Sequence, residues 1–201
     1  MQELIDKFIG NDRFSSYKNL SDYCENIKYA QNFYSILNIF EIALRNKVNI
    51  FYTEKYTSNW LLDRHSHDIE VKKAIDKFIK SKPHYNNSDL VGALNFGFWV
   101  KLFDYKYLVS HKLQVTKIQN IFGWNKKIIN RQNTINLHKD LNFIKNCRNR
   151  IFHHEKMLNH KNDSYNKFEQ LLHKLIHQLD EKRFLEKLLY DFFNIKLLHT
   201  K

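Results

Sequence analysis

Between Arg148 and His154 the chain places two guanidinium groups, a carboxamide and two imidazoles within seven residues, Arg148-Asn149-Arg150-Ile151-Phe152-His153-His154, with Glu155 next. Histidine titrates near neutral pH and can take or give a proton during a reaction. Arginine stays charged and presents a planar fork that matches phosphate oxygens. Asn149 lies one turn before His153 and can orient its ring or bind a phosphate itself. Proton transfer beside a bound phosphate is therefore the chemistry this cluster is equipped for. Arg148, Asn149, His153 and His154 carry the groups available for it.

The flanking residues define the element that carries the cluster. Leu137, Leu141, Ile144, Ile151 and Phe152 recur with helical period, which predicts an amphipathic helix over 135–153. At ~100° per residue they form one arc, and Arg148 falls at its centre. Opposite runs a polar but uncharged stripe, Asn142, Asn146, Asn149 and His153, flanked by Lys139 and Arg150. In a chain rich in lysine, a neutral stripe points to a surface that meets a substrate or another protein. An arginine in an apolar arc is costly unless paired. Two arrangements relieve that cost. One is an acid from another helix, with Glu41 the first candidate. The other is a helix start or break near residue 148 that lets Arg148 and His153 converge. On one straight helix their directions differ by about 140°, so a shared site otherwise needs two copies of the helix across a dimer axis.

The rest of the chain reads as helix as well. Its 201 residues suit one domain and can bury a sizeable core, since 43% are hydrophobic and 15% aromatic. Four glycines and one proline are too few turn-makers for a sandwich or barrel. After a lead-in broken near Gly10-Asn11-Asp12, Ser21-Asp22 is the expected cap of a long helix that reaches about Tyr56. Its apolar face is Phe33, Ile36, Leu37, Phe40, Leu44, Val48 and Phe51, and Glu41 and Arg45 are spaced for an ion pair along it. A connection holding Trp60 follows, in which His65-Ser66-His67-Asp68 is read as a solvated turn because no second cluster at ligand spacing accompanies it. Residues 69–80 read as a short amphipathic helix stopped by Pro83. Residues 90–111 read as one buried helix in which Gly92 and Gly97 permit close packing. A long basic connection then precedes the motif helix. After it, 165–198 returns to helical period through Phe168, Leu172, Leu175, Leu189 and Phe192, with Asp180 placed to cap its second half.

The net charge is +12, and between residues 101 and 160 there are 12 Lys/Arg against 3 Asp/Glu. Most of the excess charge therefore surrounds the cluster, which favours a polyanionic partner. Arg150, Lys126, Lys127, Arg131 and Lys145 are the expected RNA-binding cations, with Trp124 beside them suited to stacking on a base. Two cysteines suffice neither for a disulfide framework nor for a zinc site, so no cofactor or metal is expected. The N-terminus lacks the pattern of a signal peptide and no apolar run is long enough to span a membrane, so a cytoplasmic protein is expected.

Three blocks of the chain together resemble a known family. They are Phe40-Glu41-Ile42-Ala43-Leu44-Arg45-Asn46, Leu94-Asn95-Phe96-Gly97-Phe98-Trp99-Val100-Lys101-Leu102-Phe103, and Cys147-Arg148-Asn149-Arg150-Ile151-Phe152-His153-His154-Glu155. In order and spacing, over about residues 15–160, they resemble Abi-like (AbiD/AbiF) abortive-infection proteins. The third block carries the R-N-x-x-x-H form of the HEPN superfamily signature. The resemblance implies an all-α HEPN-type helical bundle spanning residues 1–201 as a single domain. It also implies a homodimer that joins two motifs, and a metal-independent endoribonuclease with a toxin-like role in phage defence. Motif arginine, polar residue and histidine map onto Arg148, Asn149 and His153. The first block departs at Asn49, where relatives often carry histidine, so Glu41, Arg45 and Asn46 are read as structural. RNA suits the residues on chemical grounds too, because its 2′-hydroxyl is a built-in nucleophile and no carboxylate cluster for a two-metal nuclease is present. The alternative is a non-catalytic module that binds RNA, regulatory or antitoxin RNA among the candidates, and an antitoxin protein is a further possible partner. The neutral stripe also suits a purely protein-binding surface.

Overall fold

Asn19 and Asn130 start the two helices that organise the molecule. In the computed structural model, which describes residues 1–63, 69–82, 84–110, 119–123, 130–157, 164–180 and 182–198, all regular elements among those residues are helical. They are α1 (Gln2–Phe8), α2 (Asn11–Phe14), α3 (Leu20–Lys55), α4 (Ile69–Ser81), α5 (Asn87–Ala93), α6 (Phe96–Lys101), α7 (Tyr105–Ser110), a 3-10 helix (Gln119–Phe122), α8 (Arg131–Phe152), α9 (Ser164–Leu179) and α10 (Phe184–Phe193). The expectations for residues 65–68, Pro83, Trp124, Lys126 and Lys127 lie outside the described residues.

Helix α3 runs for 36 residues, about 54 Å at the usual rise. The side chain of Asn19 caps it by accepting from the Asp22 N–H at 2.9 Å. The expected cap at Ser21-Asp22 is thus two residues late, because the Asp22 carboxylate turns to Lys18 N and Lys156 Nζ. Phe33, Ile36, Leu37, Phe40, Leu44 and Val48 are buried along one face, and Phe51 is half-buried beside them. Helix α8 begins at Arg131, four residues before the expected start, because Asn130 accepts from Asn133 N at 2.8 Å. Its buried residues Leu137, Leu141, Ile144 and Ile151 pack against α3, α6, α7 and α9. Helix α9 closes the same core with Phe168, Leu172, Leu175, Ile176 and Leu179.

The single helix expected over 90–111 is instead three short ones. A continuous apolar run carries no period to mark its breaks, and the breaks are set by caps. Asn86 and Asp89 form a reciprocal capping box before α5, Asn95 accepts from Phe98 N at the start of α6, and Asp104 accepts from Lys106 N at the start of α7. Trp99 Nε1 donates to the Leu94 carbonyl across the first corner at 3.2 Å. These corners let Leu90, Trp99, Leu102 and Phe103 enter the core from separate directions. Gly92 does not serve close packing, since nothing lies within 4 Å of a Cβ placed there. Gly97 does, because a Cβ would come 3.2 Å from Asn95 Oδ1 and 3.7 Å from Lys145 Cδ on α8.

At the C-terminal end Arg183, not the expected Asp180, is the N-cap of α10 and its side chain makes no cap hydrogen bond, while the Asp180 carboxylate, three residues earlier, accepts from Glu186 N in the first turn. Phe192 does not join the apolar face; it is exposed, and Leu189 carries the burial of α10. The chain then turns back onto α9, where His173 Nδ1 accepts from Leu198 N at 2.9 Å. No helix among the described residues is long and apolar enough to cross a membrane. Cys24 and Cys147 carry unbonded thiols, and burial pushes that of Cys147 up to about 11.

Candidate active site

The cluster sits where α8 ends. The helix runs unbroken through Phe152, and His153 is its C-cap, with its N–H on the Asn149 carbonyl at 2.9 Å. His154 follows in the left-handed region at φ 55°, and Glu155 N donates back to the Arg150 carbonyl at 2.8 Å. This reversal is a position where glycine is usual. A histidine there stores about 1–2 kcal/mol of backbone strain.

Arg148 takes the first of its two expected escapes. Its Nε donates to Glu41 Oε2 at 3.1 Å, joining α8 to α3 across 107 residues of sequence. The guanidinium also stacks on the Phe152 ring at 4.3 Å and donates from Nη1 to Asn149 Oδ1 at 3.3 Å. The side chains of Arg148 and Glu41 are 25% and 19% exposed, so the pair is only partly screened by water. No break near residue 148 is needed. Glu41 pairs with Arg148 rather than with Arg45, whose buried Nε has no hydrogen-bond partner. Asn49, the departure in the first block, accepts from Trp60 Nε1 at 2.8 Å and so anchors the connection after α3.

Tyr34 extends the network. Its ring meets Phe152 edge-on at 5.1 Å, and its Oη lies 3.3 Å from His154 Nδ1. Tyr34 and Glu41 are seven residues apart, two turns along one side of α3. A chain of contacts thus runs from Glu41 through Arg148, Phe152 and Tyr34 to His154. His153 is exposed, and its imidazole makes no hydrogen bond among the described residues.

The segment after the motif is clamped to the start of α3. Asn26, only 1% exposed, donates to Tyr17 Oη at 3.1 Å and to the Glu155 carbonyl at 3.3 Å, and accepts from Met157 N. Lys156 Nζ donates to Asp22 Oδ2 and to the Ser16 carbonyl, both at 2.8 Å, over the ring of Tyr17. Arg150 donates to the Lys156 carbonyl and lies 3.6 Å from Glu155 Oε2, so it closes the turn as well as offering charge.

Arg131 and Lys145, the other expected cations among the described residues, stand apart from each other. Arg131 lies over the Tyr105 ring at the opposite end of α8, about 26 Å of helix from Arg148. Lys145 donates to Asn142 Oδ1 at 2.9 Å, and Asn142 Nδ2 in turn contacts His138 Nε2 at 2.8 Å. Asn142 is therefore engaged within α8 and is not part of an open stripe, whereas Asn146 is exposed. Burial lowers the pKa of His138 against the opposing pull of Asp104. Sequence reasoning missed Tyr34, Asn26 and Lys156, whose partners lie more than a hundred residues away in the chain. Among the described residues no three His, Cys, Asp or Glu side chains group closely enough to share a metal ion.

Comparison of the chain with protein-family models, with curated proteins and with solved structures finds no match.

Proposed function

We propose that this chain is a HEPN-type, metal-independent endoribonuclease of the Abi-like kind, a cytoplasmic homodimer with a toxin-like role in abortive infection. One observation carries the reading: His153, exposed and with no hydrogen bond to its ring, caps the helix whose Arg148 is positioned by Glu41 and Asn149. Arg148 lies five residues earlier and about 140° around that helix, so a second copy is needed to bring the two groups to one phosphate. The 2′-hydroxyl attacks the adjacent phosphorus, forming the O2′–P bond and breaking the P–O5′ bond. His153 accepts the 2′-hydroxyl proton, and His154, its Nδ1 held by Tyr34, supplies a proton to the departing 5′-oxygen. Arg148 faces the charge that builds on the phosphorane. The products are a 2′,3′-cyclic phosphate and a 5′-hydroxyl. A second copy of the chain places another motif across the same phosphate, and an antitoxin RNA or protein restrains the activity.

A second reading, RNA binding without cleavage, is favoured by the commitment of the Arg148 guanidinium to Glu41. One experiment separates the two. Purified protein is incubated with RNA in EDTA and the new ends are mapped. Cyclic phosphate ends that vanish with His153→Ala and fall at least 100-fold with Arg148→Ala, with helical circular dichroism unchanged, support the nuclease. Intact RNA with steeply salt-dependent affinity supports the binding module instead.

A further inference from the structure

Around α3 from Tyr34, a crevice of about 580 Å3 opens between α3, α9 and the chain that follows α10. That volume lies within the range of small-molecule sites, about 300–1,000 Å3. Its lining is mixed in a particular way. Phe193, 47% exposed, and the buried Phe33 are the aromatic side chains of its lining besides Tyr29. Gln31 and Asn32 present exposed carboxamides from α3, each a donor and an acceptor side by side. Paired donors and acceptors of this kind are what the edge of a nucleobase offers in return.

His173 adds a fixed donor. The side chain is 4% exposed, and its Nδ1 accepts from Leu198 N at 2.9 Å, so the neutral ring carries its proton on Nε2. Burial holds the ring neutral by bringing its pKa down to about 4. Among the described residues no protein acceptor takes the Nε2 proton. Glu169 lines the crevice as an acceptor and disfavours a phosphate beside it, while Lys196, exposed on the lining, can pair with one. A neutral heterocycle with a phosphate attached satisfies all of these groups together; a bare polyanion or an apolar ligand does not.

We infer that the crevice binds a nucleobase, read along its edge by Asn32 and Gln31 and stacked on Phe193. The base comes from a free nucleotide or from an RNA chain held at the motif. Only the second source rests on the proposed ribonuclease reading. Gln31 and Ser35 lie about 60° and 100° around α3 from Tyr34, whose Oη is 3.3 Å from His154 Nδ1, so the crevice and the motif meet the same stretch of α3.

The test titrates the intact protein with the four nucleoside 5′-monophosphates, with ribose 5-phosphate, and with a 2′-O-methyl trinucleotide that cannot be cleaved, following backbone and side-chain amides by NMR. The expected result is saturable shifts at residues 31–35 and 193–196, a preference of tenfold or more among the bases, and no saturation by ribose 5-phosphate. Asn32→Ala and, separately, Phe193→Ala weaken binding at least tenfold with circular dichroism unchanged. Trinucleotide shifts that reach residues 153–154 identify RNA as the source; saturation by mononucleotides alone identifies a free nucleotide. No saturable shift, or equal shifts from all four bases and ribose 5-phosphate, overturns the inference. RNA cleavage without base binding removes the crevice and leaves the nuclease, whereas base binding by a protein that leaves RNA intact removes only the nuclease.

Discussion

The Glu41–Arg148 pair decides what the motif arginine is for, and a double-mutant cycle of Glu41→Gln and Arg148→Gln measures it. At 3.1 Å, two unit charges in an effective dielectric of about 20 attract by about 5 kcal/mol before desolvation is counted. Both side chains keep about a fifth to a quarter of their exposure, so desolvation and screening reduce the net coupling to about 1–2 kcal/mol. The stacking of Arg148 on Phe152 is worth about a further 1 kcal/mol, and Glu41→Gln leaves it in place. Glu41→Gln is thus expected to cost about 1–2 kcal/mol and Arg148→Gln about 2–3 kcal/mol. Urea denaturation with constant m-values reads both, together with the double variant. A coupling below about 0.5 kcal/mol would show that Glu41 does not hold the guanidinium and would refute the positioning argument. In the cleavage assay, positioning by Glu41 predicts that Glu41→Gln lowers kcat about tenfold with KM within about twofold. A raised KM with unchanged kcat would assign Glu41 to binding alone.

Two further outcomes follow from buried polar groups. Asn26→Ala strands Met157 N and the Glu155 carbonyl, and at about 1–3 kcal/mol for a stranded group the expected loss is about 2–4 kcal/mol in urea denaturation; a loss under about 1 kcal/mol means that water replaces the clamp. His173 has a folded pKa of about 4 against an ordinary 6.5, so the unfolded chain binds the proton first as pH falls. Its contribution is full above pH 6.5 and is lost as pH drops through 4, up to about 3 kcal/mol. His173→Gln keeps an acceptor for Leu198 N but does not titrate, and is expected to flatten the stability profile between pH 6.5 and 4. An unchanged profile would remove His173 from the acid response.

What was legible in the sequence was whatever a single helix states about itself. The period of α3 and α8 marks their buried faces, and the arginine in the apolar arc of α8 leaves a partner acid or a helix break as its two escapes; the structure pairs it with Glu41, the first candidate acid. Helix starts were read late, because Asn19 and Asn130 precede the first periodic apolar residue and an asparagine cap looks like any other polar residue until its N–H partner is seen. Residues 90–111 hid their corners for the same reason, at Asn95 and Asp104. Period alone places Phe192 on the apolar face, but α10 is short and Leu189 is its buried residue. The Asn26 clamp and the Tyr34 contact to His154 have no local signal, since each is defined by a partner more than a hundred residues further on.

Those sequence separations also carry a consequence in time. The ties that place the motif join residues 107, 120, 129 and 134 positions apart. A ribosome has made all of α3 long before it makes any of α8. Glu41, Tyr34, Asn26 and Asp22 therefore wait for partners while most of the chain is synthesised, and the strained turn at His154 has nothing to hold it until residue 157 has emerged and docked. Closing such long loops is the slow part of folding. The site is assembled late, so a cell making this protein meets the finished cluster only when nearly the whole bundle has formed.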